Sequence, residues 1–284
     1  MTGTYSVPLS LFASSWTLDA GPVAAAALGL VLFAQAFMRL RRRGRYDHAS
    51  WDRALLFGLG VAVSLFPLVS PIDLIGDRYL ISAHMLEHLM LGDAGPALMV
   101  CAVRGALVVF LLPPYLLRPL AHSRAVRSAF GVLVRPDVTL VVWVGVMAAW
   151  HIPAAYDYTL THQVVHNFEH LTFAVAGTLI WVQLIDPTGR GRLTAFQRLM
   201  FALAVFGLGQ ILSDFLIFPF QPIYPSYADQ PARVLGISPL LDQQLAGLVM
   251  TIEQALTLGV CAGFLVRSML RPAGPQPASA HRPA

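Results

Sequence analysis

His84-Met85-Leu86-Glu87-His88 and His166-Asn167-Phe168-Glu169-His170 carry one five-residue pattern twice, and each stands at the head of a long apolar run. In an α-helix residues i and i+4 share a face, so each segment presents two imidazoles one turn apart with a carboxylate beside them. Two such helices side by side assemble the donors of a metal site. The copies continue in register: residues 84–95 and 166–177 share His, Glu, His, Leu, Ala and Gly. Two apolar helices readily share Leu, Ala and Gly by chance; a His-Glu-His triplet is a rarer coincidence.

The rest of the chain says where those helices sit. Of its 284 residues 56% are hydrophobic and only 12% charged, and the mean hydropathy is +0.64. These values exclude an ordinary soluble domain and indicate a multi-span membrane protein. The arginines fall in short clusters between apolar runs rather than along one polar face. The net charge of +4 therefore speaks for orientation in a bilayer and against nucleic acid as a partner. Cys101 and Cys261 are the only cysteines and have no second thiol at a ligand spacing, which argues against a disulfide framework or a Cys-based copper site. The first residues lack the basic and apolar pattern of a cleavable signal, and the first apolar run ends in Arg39 to Arg45, as a retained span does.

Apolar runs of about twenty residues, enough to cross a bilayer, recur at 20–38, 53–70, 82–103, 137–155, 164–185, 196–218 and 243–266. The apolar piece 105–117 is short and broken by Pro113-Pro114, and reads as re-entrant or interfacial. Arginines crowd the loops after the first, third, fifth and seventh runs, whereas the alternate loops hold only Arg78 and Arg233 against Asp73, Asp77, Asp157 and Asp229. The positive-inside rule then puts the N-terminus outside and the C-terminus in the cytoplasm. The expected fold class is all-α, a polytopic membrane protein built as a seven-transmembrane-helix bundle. It would comprise an extracytoplasmic segment 1–19, the membrane domain 20–271 and a disordered cytoplasmic tail 272–284; the first dozen residues should be disordered as well. The outer loop 219–239, rich in Pro and Tyr, could cover the outer face.

This topology gathers six of nine histidines at one outer level. His84 and His88 enter the membrane with the third span, His166 and His170 with the fifth; His151 ends the fourth, and His162 lies in the loop that follows. Ionisable groups within spans cost roughly 2.5–3.5 kcal/mol each near the centre on insertion scales. For a single histidine the simpler reading is a polar residue in the interfacial zone bonded across helices. Two matching pairs at one level point instead to a transition metal on His84, His88, His166 and His170, with Glu87, Glu169 and His151 as accessory ligands or groups that fix the tautomers. Imidazole suits copper, zinc and iron alike, and haem held by two histidines uses the same residues. Inverted zincin peptidases carry His-x-x-Glu-His once; two copies at span entrances without other hydrolase features argue against that chemistry. Asp93, Asp214 and Glu253 lie deeper, as hydrogen-bond partners between helices or as a line of second-layer groups.

The motifs resemble those of the CtaG-type cytochrome c oxidase assembly factors, multi-span bacterial membrane proteins. The resemblance rests on His84-Met85-x-x-His88, Trp150-His151-x-Pro153-x-x-Tyr156-Asp157 and His166-x-x-Glu169-His170, together with Pro222-Ile223-Tyr224-x-x-Tyr227 and Asp242-Gln243-Gln244-x-Ala246-Gly247-x-x-Met250. It covers about residues 82 to 250 and implies maturation of a haem-copper oxidase in the bacterial cytoplasmic membrane, with a copper ion supplied to an oxidase subunit rather than a substrate turned over. Two departures each add an acid to the interior. Glu87 stands where a neutral residue is expected, and Thr251-Ile252-Glu253-Gln254 replaces a Trp and a Pro-Gly kink. Two further readings stay open: a membrane oxidoreductase or electron carrier holding haem or a dinuclear metal centre, and a structural partner of an oxidase subunit that binds no metal.

Overall fold

In the computed structural model, which describes residues 5–8 and 10–271, the chain is almost entirely helical. The main helices are α1 (Ala20–Arg42), α2 (Trp51–Val69), α3 (Pro71–Arg78), α4 (Ile81–Leu89), α5 (Gly95–Ala102), α6 (Arg124–Leu133), α7 (Pro136–Trp150), α8 (Pro153–Thr159), α9 (Gln163–Ile185), α10 (Ala195–Ile217) and α11 (Pro239–Leu270). Five of them, α1, α2, α9, α10 and α11, are each long and apolar enough to cross a membrane. The α6–α7 pair meets that condition only jointly and is bent by 71°.

The two remaining apolar runs fold less simply than their hydropathy suggests. The 82–103 run becomes α4, a π-turn over Met90–Ala94, and α5. Pro96 explains the interruption: it has no N–H to donate to the carbonyl four residues back, and the Gly95 N–H bonds to Met90 instead, one residue further along. The 137–155 expectation is corrected at its far end. Helix α7 stops at Trp150, because Pro153 forces an extended Ile152 and starts α8 as a separate helix. At 15 residues α7 is about 22 Å long, short of a hydrocarbon core of about 30 Å.

Small residues let the helices meet. A Cβ on Gly247 would lie 2.6 Å from the Ser213 carbonyl, and Gly209 abuts the Gln254 amide, so α10 and α11 approach at backbone distance. Gly177 of α9 sits against the Gly92 carbonyl in the π-turn, and Gly95 sits against Ser64 of α2. Gly95 and Gly177 are the register-matched glycines of the two His-Glu-His copies, and both serve close helix contact.

One end of the bundle is roofed over. In the 219–238 loop Tyr224 and Tyr227 are buried; the Tyr227 hydroxyl donates to the Gly76 carbonyl at 2.7 Å, and the Tyr224 hydroxyl to the His151 carbonyl at 3.1 Å. The Tyr227 proton being so used, Tyr156 is the donor across the 3.1 Å contact between the two phenols. Of the N-terminal segment, expected to be disordered, the described residues join this roof. Tyr5–Ser6 pair in parallel with Ala232–Arg233, and Phe12 packs edge-on against Tyr79. The tail 272–284, His281 included, lies outside the described residues. The 105–117 piece forms short helices over Ala106–Phe110 and Pro114–His122, fastened to α1 by Gln35, whose amide donates to the Phe110 and Leu111 carbonyls at 2.7 Å each.

Candidate metal centre

Helix α4 carries His84 and His88, and α9 carries His166 and His170, each pair one turn apart on the face turned to the other helix. The start of α4 has no capping side chain of its own. Asp242, in the first turn of α11, supplies one: its carboxylate accepts from the Ile81 and Ser82 amides at 2.7 and 3.1 Å and from the Ser82 hydroxyl at 2.5 Å. Charge-assisted bonds of this kind are the stronger ones, and here they fix the entry of the helix two residues before His84. The neighbouring glutamines tie down the roof. Gln243 accepts from the Ile223 amide at 2.7 Å and donates to the Leu216 carbonyl at 3.0 Å, while Gln244 donates to the Ile217 carbonyl at 3.2 Å. The Asp-Gln-Gln motif is therefore the clamp of the site rather than part of its donor set.

The four imidazoles form a rectangle. Ring centroids are 4.3 Å apart along α4 and 4.2 Å along α9, and 5.2 Å apart across both the His84–His166 and His88–His170 edges. One ligand nitrogen from each ring can be chosen so that all four lie within 4.8 Å of one another. A tetrahedral ion with metal–nitrogen bonds near 2.0–2.1 Å holds its ligands about 3.4 Å apart, so modest ring rotation closes the set.

The glutamates cross over between the helices. Glu87 of α4 lies 3.1 Å from His170 Nε2 on α9, and Glu169 of α9 lies 3.8 Å from His88 Nε2 on α4. Asp77, which sequence reading treated only as a loop charge, completes the far edge. Its Oδ1 stands 3.4 Å from His84 Nδ1 and 3.7 Å from His166 Nε2, between the two rings. Gly76 makes that reach possible, since a Cβ there would meet the His84 backbone at 3.0 Å and push α3 away. Nothing in the sequence spacing of Asp77 signalled this; an acid just ahead of a His-bearing span was the only clue. Beside it Asp73, half-buried and close to Glu87 and Asp77, has its carboxyl pushed up to about 7.

The donor atoms are unsatisfied. Both ring nitrogens of His84 and His88, Nε2 of His166 and His170, both oxygens of Glu87 and Glu169, and Oδ1 of Asp77 are buried without a hydrogen-bond partner. Glu87 and Glu169 are fully buried, and among the described residues no arginine pairs with either or with Asp77. Buried carboxylates without a counter-charge cost several kcal/mol each, and a cation among them offsets that cost. The residues present therefore fit a metal ion.

The other sequence candidates are placed apart. His151 is buried at the end of α7, outside the four-imidazole group, on a neighbouring cavity that His88 also lines. His162 is exposed and bonds the Tyr158 carbonyl. Asp93 and Glu253 face each other, with Asp93 accepting from Trp181 and from the Thr257 hydroxyl. Asp214 lies exposed on the outer surface of α10, so the expected line of three acids does not form.

No curated protein and no solved structure matches the chain. The model of one family does match, over residues 31–272, which is most of the length and includes both His-Glu-His helices, the capping aspartate and the tyrosine roof. A bundle of apolar helices with this His cluster, matched over that span, belongs to the cytochrome c oxidase caa3 assembly factor family.

Proposed function

We propose that the protein is a metal-handling assembly factor of the bacterial cytoplasmic membrane, which binds copper on His84, His88, His166 and His170 near the outer face and passes it to a haem-copper oxidase subunit. The observation that carries this reading is the convergence of four imidazoles whose ligand nitrogens lie within 4.8 Å of one another, with His84, His88 and His166 buried and His170 half-buried. Bound there, copper would supply a cargo held by neutral imidazoles. Glu87, Glu169 and Asp77 orient the rings and balance the charge, and the tyrosine roof limits water at the site.

Seven crossings with the N-terminus outside fit this role, and contacts between loops support that count. The Tyr227 bond to Gly76 joins the loops before α4 and after α10, so the chain between them crosses an even number of times. Helices α9 and α10 and the bent α6–α7 unit supply three crossings, which leaves the α4–α5 segment as the fourth. The Gly105 amide likewise bonds the Pro187 carbonyl at 2.6 Å, which supports the α6–α7 unit crossing together with α9. Pairing of Tyr5–Ser6 with Ala232–Arg233 on the side of the roof supports an N-terminal segment outside.

Crowding of the four rings counts against haem, because a macrocycle between two axial histidines would need the helices parted. Seven donors from four histidines and three acids keep a dinuclear centre as a second reading. Protein purified in mild detergent after copper-supplemented growth is expected to hold one copper per chain and to show no Soret band. Two ions per four-histidine site would favour the dinuclear centre; a Soret band, or no affinity for copper or zinc, would overturn the proposal.

A further inference from the structure

Directly beneath the histidine cluster lies a second chamber that the four-imidazole site does not use. It is a cavity of about 40 Å³ walled by residues of α4, the π-turn, α7, α9, α10 and α11. A single water needs roughly 10–15 Å³ on the same scale, so the chamber holds a bare ion with room to spare. Three methionines, Met85, Met147 and Met250, line it from three different helices, and its polar lining residues are His88, Asp93, His151 and Gln254.

His151 identifies what the chamber is built to take. Its Nδ1 lies 2.8 Å from the Met147 carbonyl, which can only accept, so Nδ1 carries the proton and Nε2 bears the lone pair. That Nε2 is buried and has no hydrogen-bond partner, on a residue only 5% exposed. Metal-bound histidines have this arrangement, one nitrogen fixed by a backbone carbonyl and the other left to ligate. Met85 and Met250 are buried too, at 2% and 3% exposure. Oxygen donors are few on this wall: Asp93 is engaged by Trp181 and Thr257, which leaves the neutral Gln254 side-chain carbonyl as the unpartnered oxygen among the lining residues. A neutral imidazole among thioethers selects a soft monovalent ion over a hard dication.

We propose that Met85, Met147, Met250 and His151 Nε2 form a second metal position for a soft monovalent cation of the Cu(I) class, with His88 on the wall shared with the four-histidine cluster. The two positions differ in chemistry. Four imidazoles with carboxylates suit a divalent ion, and thioethers with one imidazole suit its reduced form. The deeper position stands on its own donors and does not depend on occupancy of the outer one.

Silver(I) serves as the probe, with the full-length protein in detergent and Cys101→Ala and Cys261→Ala in the background to remove competing thiols. Met147→Leu with Met250→Leu keeps the side-chain volume and is expected to weaken Ag(I) binding by about 10–100-fold while Zn(II) binding is unchanged. His166→Asn with His170→Asn, which does not touch the chamber, is expected to do the reverse. Size-exclusion profiles identical to the parent show that both variants are folded. Ag(I) bound as tightly by the methionine variant as by the parent overturns the proposal, as does Ag(I) binding that disappears with His166 and His170. Failure of Zn(II) binding alone would instead count against the outer site.

Discussion

Membranes from cells whose only copy of this protein is His84→Ala with His166→Ala are expected to contain little active oxidase, at the level of cells lacking the gene, while the variant protein accumulates normally. Removing one imidazole from each helix takes two of four donors and leaves Asp77 without either ring. Outer-layer partners of a metal site are each worth about 10–100-fold in affinity, so losing two direct ligands should lower it by at least about 10²-fold. Alanine favours the helix at both positions, so α4 and α9 are kept, and normal abundance of the variant separates lost donors from a lost fold. Oxidase activity and variant abundance, read from the same membranes, check the result. Normal oxidase with the double variant would leave the histidines a packing role and favour the reading in which the chain acts without metal.

Gly177→Ala is the second large effect, although it adds one methyl group. The new Cβ would collide with the Gly92 carbonyl and stand 2.7 Å from the Gly92 carbonyl carbon, so neither a rotamer change nor a side-chain shift relieves it. Helix α9 must move off the π-turn that continues α4, and the two histidine pairs move apart with it. Overpacking typically costs about 1–3 kcal/mol, and a backbone collision belongs at or beyond the upper end. Thermal unfolding in detergent should show a clear fall in midpoint, with weakened zinc binding alongside. Gly145→Ala and Gly207→Ala are the controls, since a Cβ at either position meets nothing within 4 Å. Each should be neutral or slightly stabilising, as alanine is in a helix.

Much of the site could be read from the chain because its donors repeat at helical spacing. His84, His88, His166 and His170 share a face within each helix by the geometry of i and i+4, and charge asymmetry put both helices at one level. What the sequence could not carry is tertiary. Asp77 reaches the cluster only because α3 folds back against α4 at Gly76. The crossing of Glu87 and Glu169 to opposite helices depends on how α4 and α9 are rotated. Membership of the chamber by Met147 and Met250 depends on packing among three helices distant in sequence. Proline-directed breaks were the other blind spot. Pro96 and Pro153 sit within apolar runs whose hydropathy is unbroken, so the π-turn and the end of α7 leave no mark on a hydropathy profile.

The π-turn joins these observations. It breaks α4–α5 one turn below His88, puts Asp93 on the chamber wall, and offers the Gly92 carbonyl against which Gly177 packs. The two proposed positions thus share one structural origin, the interrupted 82–103 run, and Asp242 fixes the start of that run. The added acid Glu87 belongs to the outer position, where it pairs with His170, and Glu253 belongs to the deeper layer beside Asp93.

Whether one ion is shared by imidazoles from both helices is tested by X-ray absorption on the protein loaded with a single equivalent of Zn(II). The expected result is a shell of four nitrogen or oxygen neighbours at about 2.0–2.1 Å with strong imidazole outer-shell scattering. An oxygen-dominated shell without that imidazole signature, or protein that retains no zinc, would contradict it.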